Sequence, residues 1–254
     1  MTSLQKANVG KRIISAIFDG ILISIIAVGL IAVLSGVFKT DNHLNVYRKA
    51  YDKYSTEYGI TLNYEEYNAL TDEEKADYND RAIKAEEAFA NDKDAMYAYN
   101  MFISLSLIII TSGILTSVVL IEFVVPLFLG NGQTLGKKVF GIALMHKEGI
   151  KVSNLQLFTR SVLGKFAIEI MIPVHILMMI YFNSIGIISS IILFILLAVQ
   201  LICIIATHTN SLLHDVMAGT VAVDMASQKI FESREALMEY TKKIHAEKAN
   251  KPTF

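Results

Sequence analysis

Three acidic residues, Asp19, Glu122 and Glu169, lie inside long apolar runs, where charged side chains are rare. A charge near the centre of a membrane-spanning helix costs about 2.5–3.5 kcal/mol on insertion scales, so it needs a partner, a wet cavity or a function. At about 1.5 Å per residue, all three acids fall in one layer roughly 5–12 Å from the basic ends of their runs. We interpret them as candidate ion or proton acceptors.

The two glutamates share one local pattern, in which Ile-Glu is followed by three apolar residues and then by Pro126 or Pro173. Proline has no N–H, so the carbonyl four residues earlier, which belongs to the glutamate itself, loses its helical partner. A carboxylate beside a freed carbonyl is typical of cation or proton sites lined by a broken helix. A proline kink without any ligand explains the same pattern, and both alternatives stay open.

Basic residues flank the acids. Arg12 precedes Asp19 by two helical turns on the same face, and Arg160 precedes the third apolar run. A salt-bridge network that only fixes helix packing explains these pairs as well as transport does. His214 and Asp215 are adjacent and cannot both face one metal ion on a regular helix, and no metal-binding or nucleophile–base spacing occurs. We therefore predict no metal site, no cofactor and no enzyme.

Apolar residues make up 53% of the 254 residues and form four runs, at about 13–38, 101–129, 166–182 and 186–206. Each run can cross a hydrocarbon core of roughly 30 Å as a helix, although the third is marginal in length, and 166–206 can also form one crossing with a re-entrant piece. The sequence therefore predicts an all-α membrane protein with four transmembrane helices. A tight turn between the last two runs predicts that they form an antiparallel hairpin.

The distribution of Lys and Arg sets the expected orientation. Residues 1–12 carry three basic residues and no acid, and residues 130–165 carry six basic residues and one acid. By contrast, residues 39–97 carry eight basic and fourteen acidic residues. We expect both termini in the cytoplasm, an extracytoplasmic 39–97 loop, and a multi-pass protein of a bacterial cell (plasma) membrane.

The 39–97 loop has helical patterns of its own. Its tyrosines at 47, 51, 54 and 58 share one helical face, and Thr71 to Glu74 form a capping box that opens a second helix through about Ala90. On the other side of the second span, the Lys147-Glu148-Gly149 turn predicts a short hairpin within 141–152, and Ser153 can cap the helix that follows. The tyrosine stripe predicts two outer helices that pack together.

These patterns divide the chain into six segments. They are 1–38, an N-terminal segment and first span; 39–97, the acidic helical loop; 98–130, the second span; 131–165, a cytoplasmic hairpin and amphipathic helix; 166–206, the third and fourth spans; and 207–254, an interfacial segment that lies on or dips into the inner face and a charged cytoplasmic helix.

Two motifs point to a known family. Gly132-Gln133-Thr134-Leu135-Gly136-Lys137-Lys138 leads into Gly141-Ile142, and His214-Asp215 is followed by Ala218-Gly219-Thr220. With Arg12, Asp19 and Arg160, these residues resemble the RDD family of small membrane proteins over about 1–38 and 100–225. The family's arginine and two aspartates match Arg12, Asp19 and Asp215. Some members are described as cation/proton antiporters, and the resemblance also implies that Asp215 competes with Asp19 for Arg12.

We therefore predict a cation or cation/proton transporter that is at least a dimer in the lipid bilayer. Its candidate coupling residues are Arg12, Asp19, Glu122, Glu169 and Asp215, supported by Arg160, Pro126, Pro173, Gly132, Gly136, Lys137 and His214. The alternative is a non-transporting scaffold, immunity or assembly factor that binds a protein partner through the 39–97 loop or the charged tail. Nothing in the sequence indicates a nucleic-acid partner.

Overall fold

The computed structural model describes residues 4–181 and 187–249. The chain divides into two compact units: a first unit of Met1–Ala27 with Ile114–Phe254, and a second unit of Val28–Gly113. The turn predicted between the last two spans falls at 182–186, outside the described residues.

The described chain is mainly helical. Its α-helices are α1 (Val9–Phe38), α2 (Thr40–Glu57), α3 (Tyr64–Ala69), α4 (Asp72–Asn91), α5 (Lys93–Val118), α6 (Val125–Leu129), α7 (Leu135–Val139), α8 (Asn154–Phe158), α9 (Ile172–Tyr181), α10 (Ile187–Ala206), α11 (Leu213–Ala218) and α12 (Arg234–Ala249). Two π-helices, π1 (Val119–Val124) and π2 (Thr159–Met171), lead into α6 and α9. The two strands are β1 (Ile142–His146) and β2 (Thr220–Asp224).

Two helical stretches, Val9–Phe38 and Lys93–Leu129, are long and apolar enough to cross a membrane. A third apolar helix, Ser190–Ala206, is shorter. The first two correspond to the first two predicted spans. The third predicted span overlaps π2 and α9, and the fourth overlaps α10.

The second unit contains the predicted outer helices. Thr71 caps α4 through the expected capping box with Glu74, and α2 packs against α4. The rings of Tyr47 and Tyr54 both meet Phe89 edge-on, with centroids 5.7 and 6.2 Å away. The tyrosine face of α2 thus packs against α4, because aromatic edges and faces attract each other.

A small antiparallel sheet in the first unit accompanies the predominantly helical framework, at a place where only a short hairpin was predicted. β1 pairs with β2 in a register that joins Ile142 to Asp224 and His146 to Thr220. The predicted hairpin turn exists as a single bridge between Met145 and Lys151, but the ladder partner of β1 comes from the segment predicted to lie at the membrane interface. A short apolar run does not indicate which strand it pairs with. The sequence therefore could not distinguish a local hairpin from pairing with a distant strand.

Both faces of this sheet are buried. Ile142 and Leu144 on one face pack with Ala222 and Leu157, and Ala143 and Val223 lie in a separate cluster on the other face. The N–H of Ala7 donates to the carbonyl of Ala222 at 3.1 Å, so the N-terminal segment covers the free edge of β2. The sheet therefore fixes the start of α1 against the chain around α11.

Candidate functional site

Asp19 is fully buried in α1 and is held by the N-cap residue and the first turn of α7. Its Oδ1 accepts the N–H of Gly136 at 2.8 Å, and its Oδ2 accepts the hydroxyl of Thr134 at 2.5 Å. A Cβ on Gly136 would lie 2.5 Å from the Ser15 carbonyl oxygen, so only glycine permits this close approach. Gly132 has φ +60, and its Cβ would lie 2.8 Å from Cβ of Leu144. The Gly-Gln-Thr-Leu-Gly-Lys motif is therefore a receptor for the Asp19 carboxylate.

Glu122 in π1 is surrounded by three cationic side chains. Lys137 Nζ lies 3.4 Å and Arg160 Nη1 3.6 Å from its Oε2, and Lys165 Nζ contacts its Oε1. The side chain is 1% exposed, and a buried carboxylate requires such compensation. The carbonyl of Glu122, four residues before Pro126, accepts the Ser161 hydroxyl at 2.7 Å. A protein hydroxyl thus binds the carbonyl predicted to be free for a cation.

Asp215 in α11 binds two arginines. Its Oδ1 accepts from Nε of Arg160 at 2.8 Å and from the Thr220 hydroxyl at 3.0 Å, and Nη2 of Arg12 lies 3.4 Å from its Oδ2. Burial alone would raise the pKa of the Asp215 carboxyl, but its charged and hydrogen-bonded partners, Arg160 foremost, together outweigh burial and hold that pKa well below the ordinary value. Asp215 is therefore a permanent anion at physiological pH.

Glu169 pairs with His214. Its carboxylate accepts from Nδ1 of His214 at 2.8 Å and from the His214 backbone N–H at 3.1 Å. Nη2 of Arg160 lies 2.8 Å from Nε2 of His214, and because arginine can only donate, Nε2 must be unprotonated. The imidazole is therefore neutral, with its proton on Nδ1. Burial and the neighbouring Arg160 lower the pKa of His214, which agrees with this assignment.

Lys137 connects two of these acids. Its Nζ lies 3.4 Å from Oε2 of Glu122 and 3.9 Å from Oδ2 of Asp19, and donates to the Thr134 hydroxyl at 3.1 Å. Burial lowers the pKa of this ammonium to about 8, although the charge of Glu122 opposes the decrease. Lys137 is thus the shared counter-ion of Asp19 and Glu122.

Acids and bases balance in this network. It contains four carboxylates, at Asp19, Glu122, Glu169 and Asp215, and four cations, at Arg12, Lys137, Arg160 and Lys165. With His214 neutral, the formal charge is four minus four, or zero. All but Glu122 line a cavity of about 370 Å³ within the first unit. The network thus satisfies its charges internally while one side faces an accessible space.

The structure brings most of the predicted site residues together, but not in all the predicted pairs. Arg12 pairs with Asp215, and among the described residues it makes no ion pair with Asp19. Asp19 lies two turns deeper, where Thr134 and Gly136 reach it first. The expected competition between the two aspartates for Arg12 therefore has no geometric support in this conformation.

The matching Ile-Glu…Pro patterns also lead to different partners. Glu122 binds three cations, whereas Glu169 binds His214. Both glutamates do lie in π-helices, and each of these helices ends two residues before the proline. Helices of this kind occur often at functional sites.

Sequence reasoning missed Lys165, Ser161 and the direct role of Thr134. Lys165 was counted only as a cytoplasmic charge that sets orientation. It lies five residues after Arg160 in π2, and the i→i+5 pattern of a π-helix brings residues at this spacing close together. The sequence does place two basic residues at the edge of an apolar run. That they lie close together could be predicted only if the helix were known to be a π-helix.

The fold and this site define a predominantly helical membrane protein with a buried, charge-balanced network. Residues 6–219 match the model of the RDD family, and the chain belongs to this family. The match includes every residue of the network and ends just before β2. No curated protein and no solved structure gives a significant match to the chain.

Proposed function

We propose that this protein is a carrier that exchanges a monovalent cation for a proton, and not an enzyme. The observation that carries the proposal is the zero formal charge of the buried network. A cation that enters a balanced, desolvated site leaves an uncompensated charge, which costs several kcal/mol. Release of one proton from the same network removes this cost. The need to keep the net charge of the network at zero therefore couples cation entry to proton release.

Lys137 is the candidate proton donor. One ammonium neutralises both Asp19 and Glu122, at 3.9 and 3.4 Å. If Lys137 lost its proton, the carboxylates of Asp19 and Glu122 would lose their shared positive charge. A monovalent cation on the cavity side would replace that charge. Arg12 and Arg160 cannot act in this way, because arginine stays protonated in proteins. They keep Asp215 permanently paired.

We extend the proposal to topology. The structure supports two spans by length and composition, and we propose that π2 with α9, and α10, provide two further crossings. The basic segments 1–12 and 130–165 would then face the cytoplasm of a bacterial cell, in a multi-pass plasma-membrane protein. A carrier this small is expected to work as a homo-oligomer, since four helices enclose little space.

The test is proton movement in proteoliposomes that contain a pH-sensitive dye. A sodium or potassium gradient imposed on the wild-type protein should move protons in the opposite direction. One-for-one exchange carries no net charge, so clamping the membrane potential should leave the rate unchanged. Glu122→Gln should abolish the movement, whereas Asp80→Asn, an exposed acid in the second unit, should not. Equal rates in both variants would refute the proposal.

A specific observation favours a second candidate, a scaffold or assembly factor that binds a protein partner. The second unit is a compact unit with its own capped helices, which intrinsic ion exchange does not require. Deletion of residues 41–95 separates the two functions. A carrier should retain cation-driven proton movement after the deletion, whereas a scaffold should lose its partner and show no ion movement before or after it.

A further inference from the structure

The cavity beside the charge network has apolar walls as well as charged ones. Its apolar lining includes Val9, Ile13, Ala16, Ile204 and Leu212. At about 370 Å³ it lies at the small end of the range of ligand pockets, which are mostly apolar with a few polar groups that orient the ligand. A bare inorganic ion would leave these walls unused. The volume and the mixed lining suit a small organic molecule.

The carboxylates that line the cavity already have protein donors. Asp19 accepts from Thr134 and Gly136. Both oxygens of Glu169 accept from His214, and both oxygens of Asp215 face arginine. While Lys137 keeps its proton, these carboxylates therefore have protein partners of their own and do not require a cationic ligand.

Two cationic side chains on the same wall have unused donors. Among the described residues, Lys165 Nζ bonds to Glu122 alone, and its side chain keeps 20% of its surface exposed. Arg12 donates through Nη1 and Nη2, its Nε has no partner in the described chain, and its side chain is 14% exposed. A ligand that accepts hydrogen bonds can reach these donors without breaking a buried pair.

Cations outnumber carboxylates among the residues that line the cavity. Arg12, Lys137, Arg160 and Lys165 line it with Asp19, Glu169 and Asp215. Glu122, which makes the whole network neutral, is not part of the lining. An anion in the cavity would therefore contact the cations directly but not Glu122, in a site where charge is weakly screened.

We infer that this cavity binds a small organic anion, a carboxylate or similar acid with an apolar body, whose charged end meets Lys165 and Arg12. The inference stands apart from the transport proposal, because such a ligand could serve a carrier as a co-substrate or a scaffold as a regulator. The same chemistry occurs in soluble acids and in acidic lipid headgroups.

The test uses three probes of nearly the same shape and different charge: benzoate, benzylammonium and benzyl alcohol. Binding to the full chain in phosphatidylcholine nanodiscs is measured by equilibrium dialysis with radiolabelled probes. We expect saturable binding of benzoate, at least about tenfold tighter than the other two, since one ionic contact in such a site is worth about 1.4 kcal/mol or more. Stronger binding of benzylammonium, or no preference among the probes, would overturn the inference.

Two kinds of variant locate the site. Lys165→Gln should weaken benzoate about tenfold or more, and Lys138→Gln, at an exposed lysine outside the lining, should not. Ala16→Leu fills the apolar side without changing charge and should also weaken benzoate, whereas Ala32→Leu, farther along α1, should not. Unchanged benzoate binding in Ala16→Leu and Lys165→Gln together would contradict this site.

A lipid arm identifies the source of the anion. If an acidic lipid is the natural ligand, phosphatidylglycerol in the nanodiscs should weaken benzoate binding by competition. If the natural ligand is a soluble acid, phosphatidylglycerol should leave benzoate binding unchanged. Either result supports an anion site. Failure of this inference is distinguishable from failure of carrier function: cation-driven proton movement without benzoate binding removes only the anion site, and benzoate binding without proton movement removes only the carrier.

Discussion

Nε of Arg160 lies 2.8 Å from Oδ1 of Asp215, so this guanidinium joins π2 to α11. Asp215 lies near the end of the segment that matches the RDD family. Nη1 of Arg160 lies 3.6 Å from Glu122, and Nη2 meets His214. Arg160 therefore links π2 to two further elements of the site, π1 and α11. Its three contacts make it the centre of the network, although the sequence indicated only a supporting role.

Breaking the Arg160–Asp215 pair should be costly. Arg160→Gln or Asp215→Asn removes the nearest opposite charge from a buried partner, and we expect a loss of about 3–5 kcal/mol of unfolding free energy for each. The double variant should lose less than the sum, because neither charge is then left alone. The measurement is denaturant unfolding in detergent. Lys84→Gln, which breaks an exposed pair with Asp80, should change stability by no more than about 0.5 kcal/mol; similar losses at both sites would contradict a buried network.

Gly136→Ala should destabilise the Asp19 receptor. The added methyl would meet the Ser15 carbonyl oxygen at 2.5 Å and Asp19 Oδ1 at 2.9 Å, so α7 must move away from α1. We expect a loss of about 1–3 kcal/mol from overpacking. Gly20→Ala is the matched control, because no atom lies within 4 Å of its added Cβ, and it should be neutral or slightly stabilising. Equal thermal unfolding midpoints for the two variants would count against the receptor.

Stability should fall in acid through Asp215. Burial would raise its folded pKa, but Arg160 and the other partners together outweigh burial and place that pKa below the ordinary value of 3.8. The unfolded chain then binds a proton at higher pH than the folded chain, so stability present above about pH 3.8 is lost as the pH falls below it. Unfolding free energies measured at a series of pH values should show this loss. In Asp215→Asn the decline should be shallower, and an identical slope would exclude Asp215 as a source.

Much of the helical framework could be predicted from the sequence, because long apolar runs and capping boxes are local signals. The runs around Asp19 and Glu122 correspond to α1 and to α5 with π1 and α6, and Thr71 and Ser153 begin helices as expected. The composition of the site was also predictable: buried charges are rare enough to be conspicuous. The sequence thus indicated which buried charged residues need partners of opposite charge.

The pairing of those residues could not be predicted, since it depends on contacts between distant segments. Asp19 binds residues 134 and 136, more than a hundred positions away, and only the close approach at Gly136 makes this possible. β2 escaped notice because Thr220–Asp224 is too short and apolar to reveal its partner. Likewise, the π-helical form of 159–171 brings Lys165 to Glu122, and no local pattern in the sequence distinguishes it from an α-helix.

Cation-driven proton movement by Asp19→Asn proteoliposomes tests the carrier account most directly. Asp19 accepts two buried hydrogen bonds and shares Lys137 with Glu122, so the asparagine variant loses one carboxylate from a balanced network and with it the coupling between cation and proton. At matched incorporation, we predict proton movement in the wild-type protein and in Asp80→Asn, and none above empty liposomes in Asp19→Asn. Wild-type proton movement in Asp19→Asn would contradict the account.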